Sequence, residues 1–222
     1  MKLIIILLIF TFDLYAKSPL SNSRLNKLSG SVVKTYDSKM VWDKRYSKRS
    51  YVYGKAPAKF LAENYDYLKP ESKILDMGMG EGRNAVFLAQ KGHHVTGIDI
   101  SSVAVKKARF LAKEFGVKIK TVVGTLTKYK IPDASFDAII CFYYVDRELN
   151  EKIQRWLKPG GLLIYEAYTL KEYLKHKNGK INYFLKEKEL ISMFPKMDIL
   201  KYEEPIHEKE FRSGIILRKK GK

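Results

Sequence analysis

The chain has 222 residues, of which 45% are apolar and 30% charged, so it is long enough for one domain with a sizeable core and is not of disordered composition. A single cysteine, Cys141, excludes an internal disulfide and argues against a thiolate metal site. The formal net charge of +18 leaves two interpretations open. We favour a lysine-rich solvated surface, because the lysines are scattered through every segment; the alternative is a surface that attracts nucleic acid, anionic lipid or an acidic substrate.

The first sixteen residues are predicted to be a signal-like or anchor segment. Lys2 precedes an apolar run over residues 3–12, and a cut after Ala16 fits a secretory signal peptide. The run is too short and too interrupted for a comfortable membrane span. Residues 17–38 are polar and are predicted to be a linker, and residues 39–222 to form one domain.

Beyond the linker, strands are predicted to alternate with helices. The predicted elements are, in chain order, a helix over 58–68, strand 73–77, helix 83–91, strand 94–99, helix 102–115, strands 118–123 and 136–142, helix 146–157, strand 162–167, a helix near 186–194, and strands 197–203 and 213–218. Ser101 is the expected cap of the helix that follows it, and Gly116 its stop. This alternation predicts an α/β fold with a doubly wound, mostly parallel seven-stranded sheet, in which a final hairpin places one antiparallel strand at the sheet edge.

A glycine-rich segment follows the first strand of the predicted sheet. Residues 74–82 read Ile-Leu-Asp-Met-Gly-Met-Gly-Glu-Gly, and the alternating glycines are Gly78, Gly80 and Gly82. Glycines at such a turn let the backbone approach a nucleoside ligand. Dinucleotide folds require the spacing G-x-G-x-x-G. Counted from Gly78, that spacing places its third glycine at position 83, where this chain has Arg83. A cofactor without a pyrophosphate does not need that spacing, so S-adenosylmethionine fits the segment better than NAD does.

Two acidic residues belong to the same predicted pocket. Asp99 ends the second strand, where its two carboxylate oxygens can accept from the two ribose hydroxyls, and Ile100 would then lie against the adenine. Asp76, two residues before the first glycine, is expected to orient the loop or to contact the amino group of the cofactor, directly or through water. The alternatives are a helix-capping role for Asp76, a surface acid at a strand end for Asp99, and a tight turn without a ligand for the glycines.

Several of these segments resemble those of a known family. The chain is similar to class I S-adenosylmethionine-dependent methyltransferases over residues 76–82, 97–101 and 157–161. It resembles the tellurite-resistance (TehB-like) branch, near the thiopurine methyltransferases, over residues 42–46, 53–54, 80–89 and 92–96. The resemblance implies a Rossmann-like methyltransferase fold, methyl transfer from S-adenosyl-L-methionine, and S-adenosyl-L-homocysteine as product.

The resemblance also implies cofactor contacts after the third and fourth strands. The family usually has an acid after the third strand that accepts from the adenine amino group, but this chain has Thr125 and Leu126 there, which we retain as contacts. Cys141 and Phe142 end the fourth strand, beneath the place where the transferable methyl group would lie. The alternative for Cys141 is a plain buried core residue, and we favour that alternative.

Aromatic residues near the predicted cleft are candidates for acceptor binding. Trp42, Tyr46 and Tyr53, together with Arg45, could form a lid, and aromatic faces attract a sulfonium cation. The alternative is an amphipathic segment that packs on the sheet. Tyr143 and Tyr168 follow strand ends at the carboxyl edge, where such folds bind ligands. Arg45 or Arg83 could instead pair with the carboxylate of the cofactor.

No catalytic residue is predicted, because a sulfonium methyl group is a strong electrophile whose transfer depends on positioning and desolvation. A thiol or a chalcogen oxyanion needs no base, whereas an amine or hydroxyl acceptor would need Glu166 or a tyrosine. The predicted function is methyl transfer to a small molecule. The alternatives are an RNA or protein-lysine methyltransferase, and a non-catalytic S-adenosylmethionine-binding protein.

No metal site and no oligomeric state are predicted. The compartment stays open, because the N-terminal segment indicates export or a membrane tether, whereas the supply of the cofactor argues for the cytoplasm.

Overall fold

The computed structural model describes residues 38–177, 180–204 and 211–221. The predicted signal-like segment and all but the last residue of the predicted linker lie outside these ranges. The elements are α1 (38–46), α2 (Lys59–Ala62), β1 (Lys73–Met77), α3 (Arg83–Gln90), β2 (His94–Asp99), α4 (Ser102–Glu114), β3 (Lys120–Val123), β4 (Phe136–Phe142), α5 (Asn150–Trp156), β5 (Leu157–Tyr168), α6 (Leu170–His176), α7 (Glu189–Met193), β6 (Met197–Glu203) and β7 (Arg212–Lys219). Within the described ranges, no helix has both the length and the apolar character that a membrane crossing needs.

The seven strands form one sheet in the order β3-β2-β1-β4-β5-β7-β6. Neighbours from β3 to β5 are parallel, whereas β7 is antiparallel to both β5 and β6. This order confirms the predicted doubly wound, mostly parallel sheet with a C-terminal hairpin. The antiparallel strand β7 lies one position in from the edge strand β6.

The central strands are buried on both faces, as expected for a parallel sheet covered by helices. Along β1, Leu75 and Met77 belong to a core that includes Trp156 of α5. Ile74 points to the opposite core, which includes Leu88 of α3. Because side chains alternate along a strand, Asp76, two residues after Ile74, also lies on the α3 side of the sheet.

Local contacts fix where the helices begin and end. Ser101 caps α4 as predicted, since its side chain accepts from the backbone N–H of Ala104. The helix predicted over 58–68 is interrupted, because the side chain of Asn64 donates to the carbonyl of Phe60 at 2.7 Å and the backbone there leaves helical geometry. A short 3₁₀ turn, Tyr65–Tyr67, follows.

Candidate cofactor and acceptor site

The glycine loop between β1 and α3 lies at the carboxyl edge of the sheet. Gly78, Gly80 and Gly82 have φ angles of +65°, +57° and +85°, which side-chain-bearing residues rarely adopt. A Cβ atom on Gly80 would lie 2.9 Å from the hydroxyl of Tyr46, and one on Gly82 would lie 2.7 Å from the Cβ of Ala108 in α4. The absence of a side chain at Gly80 therefore allows Tyr46 to approach the loop closely, and its absence at Gly82 allows α3 to pack closely on α4.

The carboxylate of Asp99 fastens this loop to the end of β2. Its Oδ2 accepts from the backbone N–H of Gly80 and its Oδ1 from that of Ser101, both at 2.8 Å. Burial raises the pKa of Asp99, although these two backbone hydrogen bonds act in the opposite direction. Each carboxylate oxygen has a second lone pair, so the arrangement leaves capacity for two further donors. The assignment of Asp99 to the ribose hydroxyls stays a prediction.

Asp76 carries a buried carboxylate that is only partly satisfied. A backbone hydrogen bond from Ala85, in the first turn of α3, reaches this side chain, but its Oδ2 has no hydrogen-bond partner. Burial raises the pKa of Asp76 to about 8, and the nearby charge of Asp99 adds to that effect. The contact with Ala85 supports the helix-capping alternative, while the unpartnered oxygen is an acceptor that suits a cationic amino group. These carboxylate acceptors therefore fit the amino group and the ribose hydroxyls of S-adenosylmethionine.

The segment that contains α1 covers the glycine loop. Asp43 accepts from the hydroxyl of Ser101 at 2.6 Å, at the start of α4. Glu81, inside the glycine loop, accepts from the backbone N–H of Val52 at 2.7 Å and from Nζ of Lys107 at 2.6 Å. These contacts hold Tyr46, which is only 6% exposed, against the loop. The segment therefore packs on the glycine loop and on the start of α4, and both the predicted role as a lid and the predicted packing on the sheet stay predictions.

Rings and guanidinium groups alternate along the carboxyl edge, in a feature that we call the aromatic–arginine row. Its members, in spatial order, are Trp42, Arg45, Tyr53, Arg83, Tyr143 and Tyr168. The guanidinium carbons lie 5.3–6.0 Å from the ring centroids on either side of them, and the last two rings are 5.1 Å apart. Such distances allow cation–π attraction. The row brings together five predicted site residues and Arg83.

Tyr143 has an unusual backbone conformation, and its hydroxyl contacts the ion pair of Glu166 and Arg212. Its φ is +58°, which is uncommon for a residue with a bulky side chain. Its hydroxyl donates to Oε1 of Glu166 at 2.6 Å. Arg212 donates to the hydroxyl oxygen of Tyr143 at 3.1 Å and to Oε1 of Glu166 at 2.9 Å. Burial, followed by the charge of Glu166, raises the pKa of Tyr143 well above its usual range. Tyr143 therefore keeps its proton, and Glu166 is already the acceptor of two donors.

The other predicted cofactor contacts follow their strands as expected but differ in burial. Ile100 and Thr125 are half-buried, and Leu126 is buried in the core. Cys141 is fully buried; its thiol donates to the carbonyl of Tyr144 at 3.1 Å, and burial raises the pKa of that thiol. Phe142 is 6% exposed within the opposite core. The side chain of Cys141 is thus a core side chain in the structure, as the favoured alternative has it.

Three residues of this region were not predicted from the sequence. Asp43 and Glu81 lie inside motifs that carried the family resemblance, so their position signalled importance without a role. Arg212 lies far along the chain from Tyr143 and is brought to it by the pairing of β7 with β5, which no local pattern reveals. Across residues 38–177, 180–204 and 211–221, no group of three or more histidine, cysteine or acidic side chains could hold a metal ion.

Comparisons with known proteins agree with this geometry. Residues 74–161 match the protein family described as methyltransferase domain. Among curated proteins, a sterol 24-C-methyltransferase of Gibberella zeae is 32% identical over 143 residues, which cover 56% of this chain and 37% of that protein. A phosphoethanolamine N-methyltransferase of Zea mays is 35% identical over 109 residues, which cover 46% of this chain and 21% of that protein. The chain therefore spans only a minor part of the length of both relatives.

A solved structure shares the fold at low sequence identity. TehB from Haemophilus influenzae superposes with a TM-score of 0.60 at 17% identity, covering 82% of this chain and 67% of that one. This likeness supports the fold alone. Residues 74–161 are therefore similar to a methyltransferase domain, and the sheet around them has the fold of such proteins.

Proposed function

We propose that this protein transfers the methyl group of S-adenosylmethionine to a small-molecule acceptor with a soft attacking atom, such as a thiol or a chalcogen oxyanion. The observation that carries the cofactor assignment is the buried, unpartnered oxygen of Asp76 beside a loop of three alternating glycines. A buried carboxylate with one unpartnered oxygen is unfavourable, and the ammonium group of the cofactor would supply the missing donor.

In this proposal the cofactor is bound across the ends of β1, β2 and β3. Asp76 accepts from its amino group, the backbone of the glycine loop lies under its methionine part, and Asp99 accepts from its ribose hydroxyls. Ile100, Thr125 and Leu126 border the adenine. When bound, the cofactor supplies an electrophilic methyl group; the chain supplies binding, orientation and the exclusion of water by the segment around Tyr46.

The acceptor is proposed to approach along the aromatic–arginine row. Neither Tyr143 nor Glu166 suits the role of general base, since the phenol keeps its proton and the carboxylate already accepts from Tyr143 and Arg212. An acceptor that must lose a proton to attack would not find a base in these two residues, whereas a thiolate or a soft oxyanion would not need one. The sequence resemblance to the TehB-like branch supports the same class of acceptor. The two curated relatives are named for a sterol and for phosphoethanolamine, both small molecules.

Calorimetric titration of the full chain with S-adenosylmethionine tests the cofactor assignment. We expect Asp99→Ala to abolish most of the binding, and Asp99→Asn, which preserves the shape of the side chain, to weaken it at least tenfold. Asp137→Ala is the matched control, because Asp137 also accepts a backbone N–H, that of Lys73 at 2.9 Å, but at the start of β4 on the opposite edge of the sheet. Equal affinity in the wild type and both Asp99 variants would refute the ribose assignment.

The net charge of +18 favours one second candidate, methylation of RNA. That candidate requires an affinity for RNA that falls steeply with salt, because phosphate contacts release counterions. Flat, weak binding of an RNA oligonucleotide from low to high salt would remove it.

A further inference from the structure

The outward faces of two helices at the carboxyl edge share an unusual composition. On α1, Trp42, Asp43 and Tyr46 lie on the side that faces the glycine loop and α4. With 3.6 residues per turn, the opposite side carries Met40, Val41 and Lys44. Met40 is 55% exposed and Val41 is 65% exposed. Large apolar side chains thus stand next to a lysine on a face that no described residue covers.

The segment after β5 repeats this pattern on the other side of the cleft. In α6, Leu174 is 68% exposed and shares a face with Lys171, three residues earlier. The inner side of the same helix packs through Tyr173, whose ring lies 5.3 Å from that of Phe184. The 3₁₀ turn Ile181–Tyr183 then adds two further exposed apolar side chains, those of Ile181 and Tyr183.

Both segments are strongly basic. Residues 38–59 contain one acidic residue, Asp43, and the cations Lys39, Lys44, Arg45, Lys48, Arg49, Lys55 and Lys59. Residues 170–177 and 180–188 contain two glutamates and the cations Lys171, Lys175, Lys177, Lys180, Lys186 and Lys188. Some of these cations have acidic partners, as Lys55 has in Glu114, but the excess of positive charge in each segment is large. Because α1 lies at the ends of β1 and β2 and α6 follows β5, both segments flank the same edge of the sheet.

We infer that these two segments, which we call the docking face, bind the surface of an anionic phospholipid bilayer. Lysines near such a surface are attracted to the lipid headgroups, while single apolar side chains between them can enter the interface. Charge complementarity favours this occupant, and a bilayer accepts apolar groups on convex helix faces without needing a matching groove. In the sequence, the predicted signal-like or anchor segment, residues 1–16, lies upstream of α1, and an anchor there would agree with this occupant. Docking would bring the mouth of the cofactor cleft to the membrane.

Vesicle co-sedimentation of the full chain tests this inference. The probes are vesicles of phosphatidylcholine alone and of phosphatidylcholine mixed with phosphatidylglycerol, at low and at high salt. We expect much stronger binding to the anionic vesicles than to phosphatidylcholine alone, and a loss of this difference at high salt, because exposed charges are screened. Equal binding to both kinds of vesicle, or no binding to either, would overturn the inference.

Variants separate the docking face from the N-terminal run, which stays intact in all of them. Val41→Ser with Leu174→Ser is expected to weaken binding about tenfold, since both apolar side chains leave the interface. Lys44→Gln with Lys171→Gln should weaken it about fivefold for each lysine. Phe110→Ser, at a residue that is 58% exposed on α4, is the matched control and should bind as the wild type does. Unchanged binding in the first two variants would assign the membrane contact to another part of the chain and refute the docking face.

Discussion

Asp76→Asn is the substitution that most sharply probes the cofactor site. It preserves the shape of the side chain and an oxygen that can accept the N–H of Ala85, but it removes the buried carboxylate. Because the folded-state pKa of Asp76 is raised to about 8, while the pKa of an unfolded aspartate is about 3.9, the folded protein binds more protons than the unfolded chain between these two pH values. The stability of the wild type should therefore fall as pH rises through this window, whereas that of Asp76→Asn should not.

The size of the effect follows from linkage. One group that stays protonated only in the folded state changes the free energy of unfolding by about 1.4 kcal/mol per pH unit, which amounts to roughly 4 kcal/mol between pH 4 and pH 7. We expect Asp76→Asn to be close to the wild type near pH 4 and several kcal/mol more stable near pH 8.

Urea unfolding of both proteins across this pH range measures the difference directly. Asp137→Asn serves as a control of opposite sign: burial acts to raise the pKa of Asp137, but hydrogen bonds from Lys158 and Lys73 outweigh it, so the pKa is lowered. The ionised carboxylate of Asp137 stabilises the fold above the pKa that it has in the unfolded chain, and this effect is lost as pH falls through its folded-state pKa. Asp137→Asn should therefore cost stability at neutral pH. A stability difference between Asp76→Asn and the wild type that does not change with pH would refute the description of Asp76 as an uncompensated buried acid.

The same substitution tests the proposed contact with the cofactor. If the ammonium group pairs with an ionised Asp76, binding near pH 7 must release a proton from the wild type, so affinity should rise with pH towards about 8. Calorimetry in buffers of different ionisation enthalpy should detect this proton in the wild type and not in Asp76→Asn. Absence of proton release from the wild type would contradict the contact.

Three further substitutions test the architecture around the site. Gly82→Ala should destabilise the fold by about 2–4 kcal/mol in urea unfolding, because its Cβ would lie 2.7 Å from that of Ala108 at a φ of +85°; a neutral effect would contradict this close packing. Tyr143→Phe should cost about 1–3 kcal/mol in the same assay, since it removes a hydrogen bond to the charged Glu166, and an unaltered midpoint would mean that this bond does not stabilise the fold. Asp43→Ala should cost about 1 kcal/mol and speed proteolysis of the segment around α1, because the start of α4 loses its acceptor; unchanged cleavage would show that other contacts hold the segment.

Much of the sheet could be predicted because its signals are local. β1, β2, β4 and β6 have the predicted bounds, since each is a short apolar or alternating run ended by turn residues. The interruption at Asn64 was not predictable from spacing, because the apolar positions of the segment keep helical periodicity while one side-chain hydrogen bond breaks the helix. Likewise, α6 has a basic sequence without a clear apolar stripe and was not predicted.

The candidate site divides in the same way. The glycine loop and Asp99 come from adjoining strands and follow from sequence spacing, because parallel strands end at one edge. The bracing of Tyr143 by Arg212 depends on β7 lying beside β5, and the covering of Gly80 by Tyr46 depends on how α1 is fastened through Asp43. Such contacts between distant segments are set by tertiary packing, which a single sequence does not specify.

A crystal structure of the protein with S-adenosylhomocysteine is the most direct test of the cofactor assignment. We expect the amino group of the ligand within hydrogen-bonding distance of Asp76, directly or through one water, and the ribose hydroxyls at Asp99. Density for the ligand elsewhere, or a nicotinamide dinucleotide bound over the same glycines in its place, would contradict it.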